Sequence, residues 1–152
     1  MLKMRLTITF IFLTILTLPS LAQEGNYDEI KLKKMTEKSP FEKIADRELP
    51  ATIEYEDDDI IAFLPLKLQA PVHILIVPKK RIPTMNDIEE EDIPLVGKMY
   101  YIAKLLAKKK GIDESGYRLC INTNEDSGQS VFHIHLHLLG GEELAPMLPR
   151  KD

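Results

Sequence analysis

Three of the chain's four histidines, His133, His135 and His137, fall at every second position inside the stretch from Gly128 to Gly141. A β-strand sends alternate side chains to the same face. On a strand the three imidazoles point one way, and Phe132, Ile134, Leu136 and Leu138 point the other. A helix would spread the same rings around its surface. The spacing therefore predicts a strand with one chemical face and one core face, closed by the turn signal Gly140-Gly141.

The rest of the chain has to supply a core for that strand to lean on. Its 152 residues are 44% hydrophobic, enough for one domain with a real core. A formal net charge of −4 argues against a broad nucleic-acid-binding surface. A single cysteine, Cys120, excludes an intrachain disulfide and a cysteine-cluster metal site. Residues 1–22 read as a secretory signal peptide: Lys3 and Arg5, an apolar run from Leu6 to Leu18, then Pro19-Ser20-Leu21-Ala22 with cleavage after Ala22. The run falls short of the roughly 20 residues that span a bilayer, so an uncleaved anchor is the weaker reading. The expected product is secreted or periplasmic and, once cleaved, free of the membrane. Residues 23–38 form a polar extension, a mobile lead-in or a short helix laid on the domain, and residues 39–152 form the domain itself.

Along that domain, Ser39-Pro40-Phe41-Glu42 starts a short helix with a capping box, and Phe41 and Ile44 share a face. Thr52–Glu56 and Ile60–Leu64 form a hairpin around Asp57-Asp58-Asp59. Val72–Val77 is an apolar strand carrying the fourth histidine, His73. Lys79-Lys80-Arg81 after it is a solvated strand end or an anion attractor. Thr84–Asp92 is a turn with a helical fragment, and Asp92 is placed to cap the one long helix. That helix carries Ile93, Val96, Met99, Ile102, Ala103, Leu106 and Ala107 at helical spacing, and Gly111 stops it. Tyr117–Asn122 is a further strand, Thr123–Ser130 a polar loop, and the tail from Glu142 is extended. The expected fold is α+β: a five-stranded antiparallel sheet with one long and one short helix.

Three imidazoles on one face admit three readings. A zinc site needs nitrogens within about 2.1 Å of the metal. Alternate strand positions spread the first and third histidines roughly 13 Å apart by strand rise. Nucleophilic catalysis suits a neutral imidazole near pH 7, with neighbours to orient it and move protons. Phosphorus suits that chemistry, because a phosphohistidine bond is labile enough to be hydrolysed in a second step, and Gly128-Gln129-Ser130 would supply backbone N–H and side-chain donors to a phosphate. A purely structural role would bury three polar rings together, which is costly.

At this point the sequence resembles the histidine triad (HIT) family, whose mark is His-φ-His-φ-His-φ-φ, in its nucleoside phosphoramidate hydrolase branch. The match is His133-Ile-His135-Leu-His137-Leu-Leu, with Gly128-Gln129-Ser130-Val131 before it and Asn122 seven residues before Gln129. Ala70–Lys80, around His73, resembles a second signature, and Leu144–Leu148 resembles the bacterial tail. The resemblance implies a HIT-like fold and hydrolysis of P–N or P–O bonds next to a nucleoside monophosphate, without cofactor or metal. It implies His135 as nucleophile, His133 and His73 as orienting and relaying groups, and His137 and Ser130 at the phosphate and leaving group. Asn122, Gly128, Gln129, Ser130 and Val131 would hold the nucleotide. Phe41, Ile44, Phe63 and Leu66 would form the slot for the base, with core packing as the plain alternative. It further implies a homodimer acting on purine nucleotides or their conjugates. Three features depart from the family pattern. Leu64-Pro65 stands where a ribose-binding aspartate is usual. Ser39 and Glu42 stand where some members have a zinc-binding cysteine pair, and Arg81 where a histidine is common. The leader is unusual for a mostly intracellular family. A different class remains open: a nucleotide- or metal-binding protein on the same scaffold, without turnover.

Overall fold

The computed structural model describes residues 21–146. The apolar leader and the last six residues of the tail lie outside them. The described chain runs through helix α1 (Leu21–Met35), helix α2 (Pro40–Ala45), strands β1 (Ile53–Glu56), β2 (Ile60–Phe63) and β3 (Val72–Pro78), helix α3 (Ile93–Lys109), and strands β4 (Tyr117–Cys120) and β5 (Leu136–Gly140). Two short 3-10 turns, Met85–Asp87 and Glu90–Asp92, fill the connection before α3.

The five strands make one antiparallel sheet in the order β1-β2-β3-β5-β4. This is the expected α+β architecture. The polar extension adds a helix, α1, that the sequence left open between a lead-in and a helix.

Alternation along the strands sorts the sheet into two faces. Ile60, Ala62, Ile74, Ile76, Leu136 and Leu138 point toward α3 and meet Met99, Ile102, Ala103 and Leu106 in the main core. Each large apolar side chain buried there contributes roughly 1.5–3 kcal/mol. Ile93, expected on the same stripe, is instead exposed at the helix start. The opposite face carries Ile61, Phe63, Leu75 and Val77, covered by Phe41 of α2. His73 alternates with Ile74, and His137 with Leu136 and Leu138, so both imidazoles belong to that second face.

The caps explain where the helices begin and end. Ser39 accepts from the Glu42 N–H at 3.1 Å, and Glu42 Oε2 accepts from the Ser39 N–H at 2.7 Å, a complete capping box. Asp92 does not cap α3 with its side chain. Its carboxylate accepts from Lys80 Nζ at 2.6 Å and from the Glu89 N–H at 3.3 Å, because Asp92 itself closes the preceding 3-10 turn. Gly111 ends α3 in the left-handed region, φ +68°, where glycine has no Cβ penalty.

One sequence expectation needs correction. The regular strand does not contain all three triad histidines. β5 begins at Leu136, so only His137 lies in the ladder; His133 falls at a bend and His135 in irregular backbone before it. The alternation survives: Ile134 is fully buried in the main core beside Leu136. Phe132 leaves the pattern and packs under α1, edge to face with Tyr27 at 5.4 Å between ring centres.

Candidate active site

The four histidines converge although they come from two separate segments. β3 pairs with β5 so that His73 lies opposite Leu139 and Leu75 opposite His137. The His73 and His137 rings stack at 5.2 Å, and the His135 and His137 rings lie 5.0 Å apart. Phe41 stands edge-on to His135 at 5.0 Å and 5.8 Å from His133, so α2 walls the site. All four rings are buried.

The hydrogen bonds fix which nitrogen of each ring carries a proton. The backbone N–H of Gln69 donates to His73 Nδ1 at 3.1 Å, so His73 carries its proton on Nε2. That Nε2–H faces His137 Nδ1 at 2.9 Å, which must accept. His137 therefore holds its proton on Nε2, a buried donor with no partner. A second set fixes the other two rings. His133 Nε2 lies 2.7 Å from the Pro78 carbonyl and must donate to it. His133 Nδ1 then accepts from the Ser39 hydroxyl at 2.8 Å. His135 Nδ1 lies 2.9 Å from the His133 carbonyl and must donate, which leaves its Nε2 as a bare lone pair. The site thus offers one nucleophilic nitrogen and, on the neighbouring ring, one unpartnered N–H.

Burial keeps these rings neutral. Desolvation pushes His133 and His137 down to about 4, and lowers His73 and His135 below the ordinary histidine value. The Pro78 carbonyl opposes the shift at His133 and the His133 carbonyl opposes it at His135, each by bonding the ring N–H. Neutral His135 is the form that attacks an electrophile.

The loop before the triad is shaped for an anion. Gly128 sits at φ +78° and its N–H bonds the Glu125 carbonyl at 2.7 Å. The N–H groups of Ser130 and Val131 have no acceptor among the described residues. Such free backbone donors suit a phosphoryl oxygen. Gln129 is buried, and its amide is taken up within the fold. Its Oε1 accepts from the Asn124 N–H at 2.8 Å, and its Nε2 donates to the Pro83 and Val131 carbonyls. Gln129 therefore shapes the loop, and its amide does not face a ligand. Asn122 is half-buried at the loop's start.

Of the expected base slot, Phe41, Phe63 and Ile44 come together in one cluster, joined by Val131. Leu66 does not join it. Its side chain is fully exposed on the β2–β3 loop, away from any packing. Pro65 stands beside it with no carboxylate at that position.

Sequence reasoning missed two supports of the site. Ser39 was legible as a cap, but the same hydroxyl also fixes His133 across 94 positions, which no local pattern signals. Arg81 looked like a solvated strand end. Instead it is largely buried, donating to the carbonyls of Phe132 (3.0 Å), Glu37 (2.6 Å) and Lys34 (3.0 Å), and pairing with Glu42 at 3.2 Å. Its partners are mostly backbone carbonyls, which a sequence does not mark.

A metal reading meets this geometry poorly. Both nitrogens of His133 and of His73 are engaged, and among the described residues no group of three or more His, Cys, Asp or Glu side chains is placed to share an ion.

The chain is similar to known proteins over most of its length. The HIT domain model matches residues 46–144. The purine nucleoside phosphoramidase of Escherichia coli K12 is 50% identical over 117 residues, covering 77% of this chain and 98% of that protein. Adenylylsulfatase HINT1 of Arabidopsis thaliana is 40% identical over 130 residues, covering 83% and 88%. A HIT family hydrolase structure from Legionella pneumophila superposes with a TM-score of 0.70 at 48% identity, covering 71% of this chain and 96% of that one.

Proposed function

The chain belongs to the HIT domain family, and from that premise we propose that it is a hydrolase of P–N bonds in nucleoside monophosphate derivatives. The observation that carries the reading is the directed set of protons: a bare Nε2 on His135 beside an unpartnered Nε2–H on His137. His135 Nε2 forms a bond to phosphorus as the P–N bond breaks, the His137 Nε2–H hydrogen-bonds the departing nitrogen, and that nitrogen takes up its proton from water. Water then attacks phosphorus, loses a proton to solvent and frees His135, releasing the nucleoside monophosphate. The free N–H groups of Ser130 and Val131 receive the phosphoryl oxygens. Phe41, Phe63, Ile44 and Val131 hold the base. The reaction needs no Lewis acid to make a nucleophile, since a neutral imidazole is one already.

The test is steady-state hydrolysis of adenosine 5′-phosphoramidate with and without EDTA, beside His135→Ala. EDTA-resistant turnover that disappears in the variant supports the reading. Nucleotide binding without turnover in the wild type would replace it with a sensor on the same scaffold.

Two further properties belong to the same proposal. The chain works as a homodimer. Tyr100, Tyr101 and Leu105 leave α3 with an exposed apolar face, and β4 is an edge strand paired only with β5. Sedimentation equilibrium giving a monomer at micromolar concentration would remove this part. The chain is also exported, as its basic start, apolar run and small residues before Gln23 suggest. Amino-terminal sequencing of protein recovered outside the cytoplasm should begin at Gln23.

A further inference from the structure

Helix α1 precedes the residues that match the family, and several of its contacts fall on the loop just before the triad. Lys34 Nζ donates to the Ser130 carbonyl at 2.9 Å and lies 5.7 Å over the Phe132 ring. Tyr27 stacks edge-on against Phe132. Arg81 joins the two segments: its Nε donates to the Phe132 carbonyl, and its terminal nitrogens donate to the Lys34 and Glu37 carbonyls.

Three successive carbonyls of the loop are thereby taken up. The Ser130 carbonyl accepts from Lys34, and the Phe132 carbonyl from Arg81. The Val131 carbonyl between them accepts from the Gln129 amide at 3.1 Å and the His133 N–H at 2.9 Å. A peptide group is planar and trans, so its C=O and N–H point in opposite directions. The Ser130 carbonyl and the Val131 N–H belong to one such group. Lys34 holds the carbonyl end on the α1 side. The N–H end therefore points away from α1, and it has no acceptor among the described residues. Val131 lies beside the site: it packs on the cluster that contains Phe41, and Phe41 stands 5.0 Å from His135.

The contact also carries charge. Lys31 pairs with Asp87, and Arg81 with Glu42, but no carboxylate among the described residues pairs with Lys34. A cation that donates to a carbonyl draws electron density toward the oxygen. That strengthens the donor at the other end of the same amide.

We propose that Lys34 is a positioning residue for phosphate binding. It fixes the Ser130–Val131 peptide with the carbonyl on α1 and the N–H toward the phosphoryl group, and its charge makes that N–H a stronger donor. This rests on the reading of Ser130 and Val131 as phosphoryl donors. Lys34 acts through the peptide and takes no part in bond breaking.

A matched pair of ligands tests it in the full chain: adenosine and adenosine 5′-monophosphate, whose ratio of Kd values isolates the phosphate. The wild type should bind the monophosphate more tightly. Lys34→Met removes both the donor and the charge, and should lower that ratio about fivefold, the size of one net hydrogen bond. Adenosine affinity should not change, and Lys34→Arg should restore the ratio. In amide NMR spectra of the free protein, the Val131 resonance should move in Lys34→Met and return in Lys34→Arg, because Val131 shares its peptide group with the carbonyl that loses its donor. An unchanged ratio in Lys34→Met, equal weakening of both ligands, or a Val131 resonance that stays in place overturns the role of Lys34 and leaves the loop as the phosphate site. A wild type that binds the monophosphate no better than adenosine overturns the reading of the loop itself.

Discussion

Replacing His73 by alanine tests the proton order more sharply than replacing the nucleophile. In the wild type, the Gln69 N–H forces His73 to donate through Nε2, and that donor forces His137 to keep its proton on the nitrogen facing the substrate. Without His73, His137 Nδ1 is left buried with no donor. The ring then gains by placing its proton on Nδ1, nearer the vacated space and its water. An unmet buried polar group costs about 1–3 kcal/mol, which corresponds to roughly 5–150-fold in the balance of the two tautomers. The rate on adenosine 5′-phosphoramidate should fall by about that factor, since its leaving nitrogen loses the donor that meets it. A p-nitrophenyl ester of the same nucleotide has a leaving oxygen that departs without one, so His73→Ala should cost it less than about threefold. His137→Ala should show the same selectivity with a larger loss, within the roughly 10²–10³ expected when a hydrogen-bond donor to the transition state is removed. His135→Ala should abolish both reactions. Equal losses of His73→Ala on the two substrates would refute the relay and make His73 a packing residue.

Other outcomes follow from the same geometry. His133 and His137 titrate near 4 in the folded chain and near 6.5 unfolded, so the unfolded state binds more protons between those values. Stability is full above about pH 6.5 and is lost as the pH falls toward 4. Unfolding free energies from urea titrations at pH 7.5 and 5 should differ by roughly 2 kcal/mol for each histidine, and an invariant value would contradict the neutral rings. Ser39→Ala removes a helix cap, about 1 kcal/mol, and leaves His133 Nδ1 unmet, about 1–3 kcal/mol more. Ser39→Thr should recover most of both in the same denaturation series. Arg81→Ala should speed amide exchange across α1 while α3 stays protected, because three carbonyls lose their donor. Protection of α1 at wild-type levels would show that Tyr27 and Lys31 suffice to hold it.

Much of this fold was legible because periodicity reports which face is buried. The stripe from Met99 to Ala107, the capping box at Ser39 and the β1–β2 hairpin around Asp57 appear where their residues place them. His133, His135 and His137 were legible as a set because polar rings at a period of two have few structural uses, and His73 joined them only through the family signature around it. Other features depend on contacts between distant backbone atoms and carry no local pattern. Gln129 looks like a ligand donor until its amide is found on the Asn124 N–H and the Pro83 and Val131 carbonyls. Leu66 looks like a slot residue until the loop turns it outward. Arg81 joins residues 34, 37 and 132, which nothing in its own neighbourhood foretells.

The break in strand order at the triad sets where its protons point. In a regular ladder the His133 carbonyl would face a neighbouring strand, and the three rings would stand roughly 6.6 Å apart at each step. Here the chain bends before Leu136, and the His133 N–H turns to the Val131 carbonyl at 2.9 Å. That frees the His133 carbonyl to accept from His135 Nδ1 at 2.9 Å, the bond that leaves Nε2 bare. It also brings the His135 ring to 5.0 Å from His137. The neighbouring Ile134 N–H stays satisfied by the Ile82 carbonyl at 2.7 Å, so the bend leaves that buried donor met. The alternation of the sequence holds the apolar side chains in the core while the backbone departs from the ladder. A substitution that drew residues 133–135 back into regular pairing should keep the fold and lose the nucleophile.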